Sequence, residues 1–428
     1  TKGIPMSTKS NTSINGRLAI IDGVRTPFTK IGTELAGFDA TELGRIAVSY
    51  LLTKTAIDPE MIDHAIIGCV SQPANASNIA RVIALRAGVP RRVPAITVHR
   101  NCASGLEALT TAQEKLFAGR GEVFIVGGTE SMSQVPMLFR AIAASKFARL
   151  GRARGIASRA AAMAAFRPAD FVPLIALKLG LTDPVAGLNM GETAELLARE
   201  FHISREDQDA FALLSHQRAA ANRAHLAEEI CPVFNSGSQD PHAILEDNGI
   251  RENQSLEALD KLRPVFDPEM GTVTAGNSSQ ISDGAVAMLA MSERRAEALG
   301  LEPLGFLESY AYTGCDPKRM GLGPVSAIAR ASSPSNLKPA DADLIEINEA
   351  FAAQVLAVLR SIDPANEINR DRLNPNGGAI ALGHPVGASG ARLVLSALKE
   401  LNRRRGKRAL VSLCVGGGQG AAAWLSKE

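Results

Sequence analysis

Cys102, in the run Val98-His99-Arg100-Asn101-Cys102-Ala103-Ser104-Gly105-Leu106-Glu107, combines a residue type and a location that suit nucleophilic chemistry. Ala95–Val98 before it reads as a short buried strand, and Leu109, Ala112 and Leu116 after it fall on one helix face. A thiol at a strand-to-helix junction meets unpaired backbone N–H groups and the positive end of a helix dipole, both of which favour thiolate over thiol. The same donors suit a developing oxyanion. An inert buried cysteine is the competing reading of this run alone, so its partners decide.

Two partners lie far downstream. His384 sits in the glycine-lined stretch Gly378-Ala379-Ile380-Ala381-Leu382-Gly383-His384-Pro385-Val386-Gly387-Ala388-Ser389-Gly390, ahead of a long helix in which Val394, Ala397, Leu398 and Leu401 share a face. A helix N-terminus disfavours positive charge and keeps the imidazole neutral and basic. Cys414 follows the strand-like Ala409-Leu410-Val411-Ser412-Leu413 and precedes Gly416-Gly417-Gly418, where a substrate could approach the main chain and its N–H groups. Taken singly, His384 also fits a structural histidine and the glycines a plain turn.

The 428 residues, 46% of them hydrophobic, suffice for a large core and more than one compact unit. With 46 basic and 44 acidic residues the formal net charge is only +2, which gives no whole-chain field for nucleic acid. Three Tyr and one Trp are too few for base-stacking platforms. The five cysteines, Cys69, Cys102, Cys231, Cys315 and Cys414, form neither a disulfide framework nor a metal-ligand spacing, so a reducing compartment and no metal site are expected. No apolar run approaches the ~18 residues of a membrane span. Residues 1–15 are polar, with Met6 a candidate start, and no signal peptide is expected there.

An internal repeat organises the elements that must position these residues. Asp58-Pro59-Glu60-Met61-Ile62-Asp63-His64-Ala65-Ile66-Ile67-Gly68 is answered by Lys338-Pro339-Ala340-Asp341-Ala342-Asp343-Leu344-Ile345-Glu346-Ile347-Asn348, and Ala103-Ser104-Gly105 by Ala388-Ser389-Gly390. Each triplet opens a helix leading to a strand closed by glycines: residues 123–126 before Gly127-Gly128, and 409–413 before Gly416. Two related α/β halves with mostly parallel sheets follow, their strand C-termini carrying the site. Residues 136–264 break the repeat, and within them the stretch 140–178 holds Arg140, Lys146, Arg149, Arg152, Arg154, Arg159, Arg167 and Lys178 with Asp170 as its only carboxylate. Such a basic segment could grip phosphates, lie on a membrane through 138–180, dock a partner, or form a solvated face. A helix is expected over 205–224 with Phe211, Leu213 and Leu214 inward.

The Cys102 run, Asn348-Glu349-Ala350-Phe351, the His384 loop and the Cys414 loop together resemble the four signature blocks of the thiolases, over nearly the whole chain from about residue 18. The resemblance implies the thiolase fold: α/β, two duplicated βαβαβαββ halves in a five-layered α-β-α-β-α sandwich with an inserted loop domain. Residues 16–135 would form the first half, completed by about 265–297; residues 136–264 the loop domain covering CoA; residues 298–428 the second half. It implies Cys102 as nucleophile, His384 as its base and Cys414 as second acid/base. The N–H groups of Cys102 and Gly416 would form one oxyanion hole, and His384 with a water held by Asn348 the other. Ser279 would touch the CoA pantetheine. On sequence alone Ser279 reads as a turn residue, Asn348 as a cap, and Glu349 as a group that orients its neighbours.

Coenzyme A enters as co-substrate, with no permanently bound cofactor. The activity implied is CoA-dependent cleavage of a 3-ketoacyl-CoA to acetyl-CoA and a shortened acyl-CoA, the last step of fatty-acid β-oxidation. A biosynthetic acetoacetyl-CoA thiolase and an inactive CoA- or lipid-binding scaffold are the alternatives. Glu246-Asp247-Asn248-Gly249-Ile250-Arg251 and Lys261-Leu262-Arg263-Pro264 are similar to β-subunits of trifunctional fatty-acid-oxidation complexes, which often carry histidine where this chain has Asn348. That likeness implies a hydratase/dehydrogenase α-subunit as partner; the family implies a homodimer or tetramer. The cytoplasm is expected for a bacterial chain, and the mitochondrial matrix for a processed eukaryotic one.

Overall fold

The structure, a computed structural model, describes residues 16–235 and 241–428; the polar start with Met6 lies outside the described residues. Its main sheet contains β1 (Leu18–Arg25), β2 (His64–Gly68), β3 (Ala95–Val98), β4 (Val123–Glu130), β5 (Ser282–Ser292), β6 (Gly305–Gly314), β7 (Leu344–Ile347), β8 (Arg408–Val415) and β9 (Gln419–Ser426). The helices that bear on the site are α1 (Ala40–Thr55), α2 (Ile79–Arg86), α3 (Ser104–Phe117), α4 (Ala141–Arg152), α5 (Ile156–Ala164), α6 (Met190–Glu200), α7 (Arg205–Ala221), α8 (Gly323–Ser332), α9 (Ala352–Ile362), α10 (Ala379–Leu382) and α11 (Val386–Arg404).

Strand order runs β7-β8-β9-β6-β1-β5-β4-β2-β3, with Thr29–Lys30 added against β5. Its two ends have the same plan, since β2 is parallel to β4 as β7 is to β8, and β5 and β9 each return antiparallel. The first half therefore reads βαβαβαββ from β1 to β5. In the second half the strand matching β3 is reduced to one parallel bridge, Ile345 with Leu373. The halves join through antiparallel pairing of Leu18, Ala19 and Ile20 with Leu307, Phe306 and Gly305.

Alternation along the strands builds the layers. Phe124 and Val126 enter the central apolar cluster while Val123 and Ile125 face the outer one under α1 and α2. In the second half Val411 and Leu413 face the centre, while Leu410 and Trp424 face the layer of α8 and α9. Helices α3 and α11 lie between the two sheet regions, buried on nearly all sides. They cross with their backbones in contact: a Cβ on Gly105 would sit 2.6 Å from the Ala391 nitrogen, and one on Gly390 2.7 Å from the Leu106 nitrogen. The repeated Ser-Gly pairs are what allow this crossing.

Four expectations change. The sheet is mixed, with three parallel and five antiparallel pairings along its order, because each half ends in an antiparallel return strand. Strand β3 is an edge rather than buried, and Ile96 is 43% exposed. Strands β4 and β8 continue to Glu130 and Val415, so Gly127 and Gly128 lie inside β4 rather than closing it. On α7, Leu214 is exposed, whereas Gln208, Asp209, Ser215 and His216 are buried through polar contacts that periodicity cannot show. Among the described residues, no helix is long and apolar enough to cross a membrane.

Gly105→Ala should lower the thermal midpoint through backbone overpacking, a cost of about 1–3 kcal/mol. Gly151→Ala on α4, where an added Cβ meets nothing within 4 Å, should leave the midpoint unchanged or slightly raised. Equal midpoints for the two variants, read by calorimetry, would show that the crossing has slack.

Candidate active site

The loop from β3 to α3 is a tight turn built on Asn101, whose φ of 42° places it in the left-handed region. Ser104 Oγ accepts from the Arg100 N–H at 2.9 Å and donates to the Asn101 carbonyl at 2.7 Å, which fixes the backbone on both sides of Cys102. Asn101 Nδ2 donates to the Gly416 carbonyl at 2.7 Å, and this bond ties the Cys102 loop to the glycine turn between β8 and β9. The backbone N–H groups of Gly416 and Cys102 lie near enough to the Cys102 sulfur to favour its thiolate.

Burial nevertheless pushes the Cys102 thiol above its usual pKa; the Gly416 and Cys102 N–H groups pull it down, and the nearby Glu130 charge adds to the rise. The resting state is a thiol rather than the thiolate expected from the helix terminus, because desolvation outweighs these dipoles. Cys414 is 1% exposed, and burial, then the Cys102 charge, holds its thiol well above the usual value. The two sulfurs are thus electrostatically coupled.

His384 is 7% exposed on the segment joining α10 to α11. Its Nδ1 lies 2.6 Å from Ser389 Oγ, which itself donates to the Pro385 carbonyl at 2.9 Å. With that hydroxyl proton engaged, Nδ1 must be the protonated nitrogen, which leaves Nε2 as acceptor. Burial first, then the charge of Arg392, lowers the His384 pKa to about 4, so the ring is neutral at pH 7. This matches the neutral imidazole expected from sequence, with burial as the main cause.

His384, Ser278, Ser279 and Phe351 line a cavity of about 790 Å³. Its sides are largely apolar, formed by Met132, Leu177, Leu181, Met190 and Phe266, with Lys30, Lys178 and Arg251 as its cations. The stretch 278–281 bridges the site: the Ser279 N–H donates to the Ala350 carbonyl at 2.9 Å, Ser278 pairs with Phe351, and Ile281 pairs with His384. Met190, Phe266 and Phe351 also pack in one apolar cluster with Cys414, which lies behind the lining rather than in it, as do Cys102 and Asn348.

Asn348, at the end of β7, is fully buried, and neither polar atom of its side chain has a protein partner. An unpaired buried amide costs about 1–3 kcal/mol, a marker of a bound water or substrate group. Next to it, Glu349 accepts from Ser215 Oγ at 2.7 Å, Asn374 Nδ2 at 2.9 Å and the Ile380 N–H at 3.2 Å. Glu349 thereby fastens the turn of α10 that leads to His384. Its pKa is raised by burial.

Sequence reasoning missed Ser389, Glu130, Met190 and Phe266. Ser389 carried a signal as the counterpart of Ser104, and Glu130 as an acid closing a buried strand; Met190 and Phe266 carried none. Of the basic segment's cations, Lys178 alone lines the cavity. Asp170 is paired with Lys146 at 2.6 Å.

The family model "Thiolase, N-terminal domain" matches residues 18–294, and "Thiolase, C-terminal domain" matches residues 301–427. A probable acetyl-CoA acyltransferase of Staphylococcus epidermidis is 42% identical over 96% of this chain and 99% of its own. An acetyl-CoA acetyltransferase of Chromobacterium violaceum is 42% identical over 95% and 98%. The crystal structure of human mitochondrial 3-ketoacyl-CoA thiolase in complex with CoA superposes with a TM-score of 0.85 at 37% identity, covering 97% of this chain and 98% of that one.

The unequal burial of the two sulfurs sets an order of reaction. As pH rises from 7 to 10, iodoacetamide should modify Cys102 well before Cys414, as read by peptide mass spectrometry. Prior modification of Cys414 would contradict this account of the two environments.

Proposed function

The chain belongs to the thiolase family of acyltransferases, and from its site we propose that it is a degradative 3-ketoacyl-CoA thiolase working in fatty-acid β-oxidation. The observation that carries this reading is the 2.7 Å bond from Asn101 Nδ2 to the Gly416 carbonyl, which ties the Cys102 loop to the glycine turn that follows the buried Cys414. The loop of the nucleophile and the loop of the proton donor are thereby joined, with backbone N–H groups on both.

On this reading His384 Nε2 takes the Cys102 proton and the thiolate attacks the 3-keto carbon. The resulting oxyanion collapses, the bond between C2 and C3 breaks, and its electron pair takes the Cys414 proton to give acetyl-CoA. The Cys414 thiolate then deprotonates an incoming CoA. That CoA thiolate attacks the Cys102 thioester, the shortened acyl-CoA leaves, and the Cys102 thiolate is regenerated. The enolate oxygen of the acetyl unit is held by His384, which carries the Cys102 proton, and by a water on Asn348, consistent with that side chain having no protein partner. Ser279, which lines the cavity with His384, would meet the pantetheine arm on this reading.

The apolar lining by Met132, Leu177 and Leu181 favours an acyl tail longer than acetoacetyl, and so the degradative direction over the biosynthetic one. We further assign residues 136–264 to covering CoA, a co-substrate rather than a resident cofactor, and a homodimer or tetramer in the cytoplasm as the working form. Within 138–180, Leu138, Ile142, Ile156 and Met163 are exposed beside Arg149, Arg152, Arg154 and Arg159. That combination suits contact with an anionic membrane surface.

Cys102→Ser should abolish the covalent acyl intermediate, because an alcohol of far higher pKa is not ionised here; a retained burst of product would remove Cys102 from the role. Cys414→Ala should still acylate from an acyl-CoA yet lose carbon–carbon cleavage by about 10²- to 10⁴-fold. Mass spectrometry after exposure to short, medium and long 3-ketoacyl-CoAs without free CoA should find the adduct on Cys102, largest for the preferred tail. Sedimentation with phosphatidylserine vesicles should carry the protein down at low salt and release it at high salt. Co-purification with a hydratase/dehydrogenase chain and no vesicle binding would reassign that face to an α-subunit.

A further inference from the structure

Glu130 is fully buried at the end of β4, and among the described residues no Lys or Arg forms an ion pair with it. Backbone takes the place of a counter-ion. Its carboxylate accepts from the Val70 N–H at 3.1 Å and the Ser71 N–H at 2.9 Å, just past β2, and from the Gly387 N–H at 3.0 Å in the first turn of α11. Helix α11 has no side-chain cap of its own, since its cap residue is Pro385. A carboxylate from the opposite half fills that position, which suits the helix dipole.

The surroundings leave the backbone little freedom. A Cβ on Gly387 would lie 2.7 Å from the Thr129 carbonyl and 3.0 Å from Glu130 Oε2, and one on Gly105 would lie 3.1 Å from the Gly387 carbonyl. One contact thus joins the strand end, the first turn of α11 that orients His384 through Ser389, and the first turn of α3 after Cys102. Upstream, the Ile380 N–H bonds Glu349, so the His384 segment is held at both ends by buried carboxylates.

We propose that Glu130 is a positioning residue for acyl transfer: its buried carboxylate caps α11 across the two halves and fixes the His384 backbone relative to the Cys102 backbone. The inference rests on the reading of Cys102 and His384 given above. The titratable groups facing Glu130 are Cys69, with its sulfur 3.9 Å away, and Cys102, whose thiol the Glu130 charge raises. Burial lifts Glu130 itself to about 7, so it is ionised in the alkaline range where Cys102 titrates.

In Glu130→Gln an amide NH₂ must face a backbone N–H, because Oε1 accepts one such group and Oε2 accepts two. Thiolysis kcat should fall about 10- to 100-fold with KM within about threefold. The pH midpoint of Cys102 alkylation by iodoacetamide should move down, since a negative charge near the thiol is lost. Glu130→Asp keeps the charge but shortens the reach, so it should lower kcat while holding the wild-type midpoint; it also serves if Glu130→Gln does not fold. Wild-type kcat in either variant, or a kcat loss in folded Glu130→Gln with no midpoint shift, overturns the proposal. If Cys102→Ser still forms the acyl adduct, the functional reading fails instead, so the two failures are separable.

Discussion

Everything at the strand ends depends on two helices crossing without side chains between them. Gly105 and Gly390 let α3 and α11 touch backbone to backbone, and that contact brings the N-termini of both helices to one place. Those termini carry the Cys102 and His384 loops. A crossing separated by ordinary side chains would hold helix axes 8–10 Å apart and move the loops with them. The sheet regions on either side then lock the helices, since the central cluster draws residues from strands of both halves.

Desolvation, rather than dipoles, sets the resting chemistry. It keeps His384 neutral and both thiols protonated, so the site waits as a neutral assembly. Dipoles act through direction instead. The Ser389 hydroxyl selects the His384 tautomer and leaves Nε2 bare, while the Cys102 and Gly416 N–H groups favour charge on one sulfur. On the proposed reading, charge appears there only once substrate is bound, in a place already supplied with donors.

Much of this was legible in the residues. Cys102, His384 and Cys414 each stood at a strand end or helix start, and the two matched stretches ending at Gly68 and Asn348 revealed the duplication that the strand order shows. The mixed sheet was not legible, because an antiparallel return strand and a parallel crossover have the same apolar pattern. Leu214 was placed inward by periodicity, yet α7 buries Ser215 and Asp209 against Glu349 and Asn277, partners more than 60 residues away in sequence. Glu130 was hidden for a similar reason: its meaning lies in three N–H groups from two distant segments. Local sequence reports faces and turns; it does not report what a buried polar group will meet.

The duplication has a consequence for how such a chain can diverge. By register, Gly68 corresponds to Asn348 and Thr129 to Cys414, so equivalent corners of the two halves carry unlike groups. Symmetry is confined to the scaffold, and each half is an incomplete reagent set. Drift at one corner therefore has no spare copy at the other to mask it, and splitting the chain in the middle would strip each half of the apolar face that the other covers.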